Sequence, residues 1–119
     1  MKGIIRVVII DDEKNSRGLL KKLLEKYTKE MEVVGMAASM SEGVQVLNET
    51  KPDLLFLDIE MPGGTGFDLL NNFKSASFKT CFVTGYEKYA IKAIKIGAID
   101  YLAQNKLDFL VWAGSFAKN

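Results

Sequence analysis

The sequence predicts an α/β fold, a doubly wound five-stranded parallel sheet with five helices, in one domain spanning residues 1–119. Three observations predict it. Short apolar runs recur along the chain, stretches with helical spacing fill the gaps between them, and acidic residues collect where the runs end. The runs are continuously rather than alternately apolar, which suits strands covered on both faces. Strands alternating with helices build βαβ units with right-handed crossovers, and hence a parallel sheet.

The elements follow in order. "IIRVVIID" is the first strand, and the helix after it carries Leu19, Leu20, Leu23, Leu24 and Tyr27 on one stripe, with Lys21, Lys22, Glu25 and Lys26 opposite. "EVVGMAA" is the second strand. The second helix opens at "SMSE", where Ser39 and Glu42 have capping-box spacing, and is expected to end near Thr50, ahead of Pro52. "DLLFLD" is the third strand, and a third helix after "PGGTG" carries Phe67, Leu70 and Phe73. "TCFVTG" is the fourth strand, followed by a helix from about Glu87 through Ile91 and Ile94 to a cap at Gly97. "IDYLAQ" is the fifth, and a last helix spans roughly Lys106 to Ala117, with Leu110 and Ala113 inward.

Composition narrows the function classes. With 119 residues, 48% of them hydrophobic and 26% charged, the chain can bury a core without staples. Its 16 Lys and Arg nearly balance 15 Asp and Glu, which argues against a dedicated nucleic-acid or membrane-surface binder. No apolar run has the length of a membrane span, and "MKGIIRVVIIDDE" turns acidic before a signal-peptide core could finish, so a cytoplasmic protein with no membrane contact is expected. The lone Cys81 has no partner for an internal disulfide and is expected in a reduced core. The sequence contains no histidine, which excludes imidazole metal sites, triads and proton shuttles within it.

Open parallel sheets bind ligands at the carboxyl ends of their strands. Strand one ends in Asp11 and Asp12, followed by Glu13. Strand three ends in Asp58, with Glu60 two residues on, and strand four ends in Thr84 and Gly85. Carboxylates packed together repel one another unless a cation sits among them. All-oxygen donors suit Mg²⁺ (or Mn²⁺), which keeps several of its waters. A hydroxyl at Thr84 and small residues above Asp58 leave room for a phosphoryl group held on a carboxylate as an acyl phosphate. Each feature has a plainer meaning alone: Asp12 as a helix N-cap, "MPGGTG" as a turn, Thr84 as a strand end.

The segments "VVIIDDEKNSRGLL", "PDLLFLDIEMPGGTGFDLL" and "FVTGYEKYAIKAIKIGAIDYL" resemble the receiver domain of response regulators in two-component signalling, a flavodoxin-like fold. The wording is closest to receivers that precede LytTR-type DNA-binding domains. The resemblance implies the strand order in which strand one neighbours two and three. It implies that Asp58 accepts phosphate from a sensor histidine kinase to control an effector, by in-line transfer. It also implies that Asp12 binds Mg²⁺ directly, Asp11 mainly through water, and Asp58 with the Glu60 backbone carbonyl completes the protein ligands. Thr84 would bond a phosphoryl oxygen and Tyr101 would be the switch aromatic. Helix four, strand five and helix five would form the homodimer or effector face. The chain would be a phosphoacceptor rather than an enzyme, with at most weak autophosphatase activity. DNA would be reached only through an effector domain, absent from this chain.

One position departs. The family usually has Lys-Pro where this chain has Gln104-Asn105. A neutral amide donor contributes about 1 kcal/mol, against roughly 1.5–3 for hydrogen bonds to charged groups, so weaker phosphoryl-driven switching is expected. The alternative is a degenerate pseudo-receiver, a docking or dimerisation module independent of phosphorylation. Other classes fit less well. A haloacid-dehalogenase-like phosphatase would normally place an aspartate where Glu60 stands and carry a cap insertion. A flavodoxin-type carrier needs a phosphate-cradling loop after strand one, where "DDEKNS" is acidic.

Overall fold

The computed structural model of the chain describes residues 3–73, 77–84 and 100–103. Among them are the strands β1 (Ile5–Ile10), β2 (Met31–Ala37), β3 (Leu54–Leu57), β4 (Lys79–Thr84) and β5 (Asp100–Ala103). The α-helices are α1 (Lys14–Tyr27), α2 (Met40–Thr50) and α3 (Gly66–Leu70). The five strands form one sheet in the order β2-β1-β3-β4-β5, with every pair parallel. The first strand thus lies between the second and third, as expected. The helices expected at Glu87–Gly97 and Lys106–Ala117 lie outside the described residues.

Both faces of the sheet are covered, which is why its strands read as unbroken apolar runs. Val8, Ile10, Leu55 and Leu57 join Leu47 of α2 and Phe67 and Leu69 of α3 in one cluster. Their neighbours Val7, Ile9, Leu54 and Phe56 join Leu24 of α1 and Cys81 of β4 in the other. Fully burying each such large apolar side chain contributes about 1.5–3 kcal/mol. The burial of Cys81 agrees with a core thiol. No helix among the described residues is long and apolar enough to cross a membrane.

The helices differ from expectation in three details. On α1, Leu24 is buried and Leu20 and Leu23 are partly so, but Leu19 is 39% exposed. A helix lying on a sheet buries an arc only somewhat wider than about 100°, and Leu19 falls at its rim. At α2, the Ser39 hydroxyl accepts from the Glu42 N–H at 3.3 Å, as the capping spacing predicts. The Glu42 carboxylate, however, accepts from the Ala38 N–H at 2.9 Å, one residue earlier than a capping box requires. The helix ends at Thr50, before Lys51 in the left-handed region (φ 48°). Arg6 reaches across from β1 to donate to the carbonyls of Thr50 and Lys51 at 2.6 and 3.1 Å. The third helix is shorter than its pattern: α3 has 5 residues and tightens into a 3₁₀ turn over Asn71–Phe73. The asparagines compete for backbone hydrogen bonds and shorten helices. Phe73 then packs on Phe78, ring centroids 5.8 Å apart.

Candidate functional site

The acidic residues meet because β1 and β3 are direct neighbours, with Ile10 opposite Leu57. Asp11 and Asp58 each follow the last residue of their strand and extend the backbone ladder by one step. The Asp11 N–H donates to the Ala37 carbonyl at 3.1 Å and the Asp58 N–H to the Ile10 carbonyl at 2.9 Å. Asp12 is carried alongside by the turn into α1. Asp11, Asp12 and Asp58 each present a carboxylate oxygen, all within 4.8 Å of one another. Asp11 is buried at 8% exposure, Asp58 half-buried and Asp12 exposed. Asp12 is no N-cap, since that position of α1 is Glu13, whose side chain makes no capping bond.

Burial pushes the Asp58 carboxyl up to about 7, and the neighbouring Asp11 charge adds to the shift. Burial also raises Asp11, partly offset by the Glu13 N–H that its Oδ1 accepts at 2.9 Å. The two carboxyls are coupled: the Asp11 charge raises Asp58, while the contact with Asp58 favours the ionised form of Asp11. Hard oxygens forced together at such a cost fit a divalent cation of the Mg²⁺ or Mn²⁺ type.

The loop after Asp58 folds back toward the strand end. Met61-Pro62-Gly63-Gly64 turns with Gly63 at φ 92°, and Glu60–Met61 pairs antiparallel with Gly64–Thr65 as a two-residue ribbon outside the main sheet. The ribbon returns the chain so that the Gly66 N–H donates to the Ile59 carbonyl at 2.6 Å. A Cβ at Gly66 would lie 2.7 Å from the Asp58 carbonyl oxygen, so the approach needs glycine. A capping box between Thr65 and Asp68 then starts α3.

Three further expected residues belong to the ribbon and to the β4–β5 pair. Glu60 opens the ribbon two residues beyond Asp58. Thr84 ends β4 and pairs with Ala103, while Tyr101 pairs with Phe82 on the adjoining strand. Gln104 lies outside the described residues. Sequence reasoning passed over two contributors, the Glu13 N–H and Arg17, whose Nη1 donates to the Asp11 carbonyl at 2.7 Å. The available signal was an arginine one turn into the helix that follows "DDE".

The family described as "Response regulator receiver domain" matches residues 7–108. The chain belongs to that family. Relatives and solved structures agree with this. Protein-glutamate methylesterase/protein-glutamine glutaminase 3 of Burkholderia thailandensis is 39% identical to this receiver over 97% of the chain and 33% of that protein. Sensory transduction protein LytT of Bacillus subtilis is 37% identical over 85% of the chain and 42% of LytT. The receiver thus spans roughly a third to two fifths of these curated relatives. Among solved structures, the response regulator domain of Thermotoga maritima CheB superposes with a TM-score of 0.82 at 29% identity, covering 98% of each chain. The response regulatory domain of mrkE from Klebsiella pneumoniae, at 24% identity, superposes with a TM-score of 0.86 over 96% of each chain and speaks for the fold alone. The fold is the flavodoxin-like receiver fold, and the domain is a response regulator receiver of two-component signalling.

Proposed function

We propose that Asp58 accepts a phosphoryl group from the phosphohistidine of a sensor kinase and so controls an effector, for which the LytT relatives suggest transcription. The observation that carries this reading is the convergence of the Asp11, Asp12 and Asp58 carboxylates within 4.8 Å at the carboxyl ends of adjacent strands. Asp11, Asp12, Asp58 and the Glu60 carbonyl would hold Mg²⁺ or Mn²⁺. A bound cation supplies neutralisation of the charge that develops on the phosphoryl oxygens. An Asp58 oxygen attacks phosphorus in line, the imidazole nitrogen–phosphorus bond breaks with its electron pair returning to the imidazole, and an acyl phosphate results. The sequence has no histidine, so the donor imidazole lies outside this domain. Hydrolysis of the acyl phosphate by water returns the carboxylate, and any autophosphatase activity of the domain is this step.

Thr84 would bond a phosphoryl oxygen, and Tyr101, on the strand beside it, would report that bond to a dimer or effector face built from strand five and its flanking helices. Gln104 offers a neutral donor where the family has lysine, so the coupling of phosphorylation to that face is weakened rather than lost. A docking-only role is less well supported, because a pocket freed from phosphoryl chemistry gains nothing from three mutually repelling carboxylates. The test is labelling with acetyl phosphate and Mg²⁺, read by intact-protein mass. One added phosphoryl group is expected, absent in Asp58→Asn. Labelling that persists in Asp58→Asn would place the acceptor elsewhere.

A further inference from the structure

We infer that Arg17 is a positioning residue for the divalent-cation site, anchoring the turn that carries Asp11 and Asp12 through a backbone carbonyl rather than through a carboxylate. The inference rests on the proposed cation-binding role of the pocket and adds to it a residue outside the acidic set. Arg17 lies one turn into α1, where its own N–H bonds the Glu13 carbonyl at 3.0 Å. Side chains of a helix tilt toward its N-terminus, so the long arginine stem folds back over the first turn. Its Nη1 donates to the Asp11 carbonyl at 2.7 Å in a partly buried contact. On the other side of the same residue, Asp11 Oδ1 accepts the Glu13 N–H at 2.9 Å. The turn is therefore held at three points: the Asp11 N–H on Ala37, its carbonyl on Arg17 and its carboxylate on Glu13.

The choice of a carbonyl as the acceptor matters. A guanidinium paired with a carboxylate would cancel charge that a divalent cation needs. Directed at a carbonyl, it contributes a charge-assisted hydrogen bond and leaves the carboxylate oxygens to the metal. It also braces a helix start at which the Glu13 side chain makes no capping bond. Partners that orient metal-binding residues typically affect affinity by about 10–100-fold, and a contact made to the backbone belongs at the lower end.

Two accounts of Arg17 predict opposite signs, which makes the test decisive. If Arg17 positions the turn, Arg17→Met should weaken Mg²⁺ binding by about tenfold in calorimetric titration. In the metal-free protein, hydrogen exchange at the Glu13 amide should quicken at the same time. Arg17→Lys keeps the charge but loses the planar fork, and should also weaken binding by severalfold. If Arg17 is only a nearby positive charge, Arg17→Met should tighten Mg²⁺ binding and Arg17→Lys should equal the unaltered chain; either result overturns the inference. Should Arg17→Met fail to fold, Arg17→Lys and its Glu13 exchange decide by the same criteria. An unaltered chain that shows no saturable Mg²⁺ binding overturns the cation-site reading and this inference together. An unaltered chain that binds, with unchanged or tightened variants, overturns the inference alone.

Discussion

The Asp58 N–H donates to the Ile10 carbonyl at 2.9 Å, joining residues 48 positions apart at the upper edge of the sheet. This bond carries the β1–β3 ladder one step beyond its last apolar pair and sets the acceptor candidate beside Asp11. Much of the behaviour expected of the site depends on that juxtaposition.

Gly66 guards the same spot from the other side. In Gly66→Ala the new methyl would meet the Asp58 carbonyl oxygen at 2.7 Å and the Leu57 side chain at 3.0 Å. Backbone yields poorly to such overpacking, so a loss of about 1–3 kcal/mol is expected in urea unfolding. Displacing Asp58 should also slow acetyl-phosphate labelling. An unchanged unfolding midpoint would show that the loop gives way freely.

The raised acid of Asp58 has a defined pH signature. Its carboxyl titrates near 7 in the folded protein, whereas an unfolded aspartate titrates near 3.9. The folded state therefore binds the proton more tightly. The resulting stabilisation is fully present below about pH 4 and is lost as pH rises through about 7. Thermal midpoints of the metal-free chain should fall across that window, and Asp58→Asn should flatten the fall. In calorimetry, Mg²⁺ affinity should move oppositely, weakening as pH drops below about 7 because protons compete for the same oxygens.

Asp12 allows the cation site to be tested without disturbing the core, since its side chain is exposed. Asp12→Ala should weaken Mg²⁺ binding at least about tenfold while the urea midpoint changes little, within about 0.5 kcal/mol. Binding unaffected by this change would remove Asp12 from the ligand set.

Gln104 predicts a trade. Gln104→Lys restores a charged donor, and the difference between charged and neutral hydrogen bonds corresponds to roughly a tenfold gain in the coupling of phosphorylation to the output face. The same lysine would compete with the cation for the carboxylates. Mg²⁺ affinity should therefore fall as phosphorylation-dependent chemical-shift changes grow. Growth of those changes with no loss of affinity would place the introduced ammonium away from the three aspartates.

The sequence by itself determined the sheet. Unbroken apolar runs such as Leu54–Leu57 require cover on both faces, and strands alternating with helices leave few parallel arrangements open. It also determined that Asp11, Asp12 and Asp58 stand at strand ends, because a run stops where charge begins. Ser39 could be read as a cap for a similarly local reason, since three residues of spacing suffice to bring its hydroxyl to the Glu42 N–H. Contacts between distant residues were decided only by tertiary structure. How near the carboxylates come, and so how far burial raises Asp58, follows from the pairing of β1 with β3 and from the Gly66 return of the loop. Leu19 belongs to an apolar stripe by spacing, yet it stands at the rim of the face that α1 buries. Arg17 reads as an ordinary surface cation until the turn places a carbonyl within its reach. Spacing along the chain conveys which faces are apolar, but the distance between two chain segments depends on how every side chain between them packs.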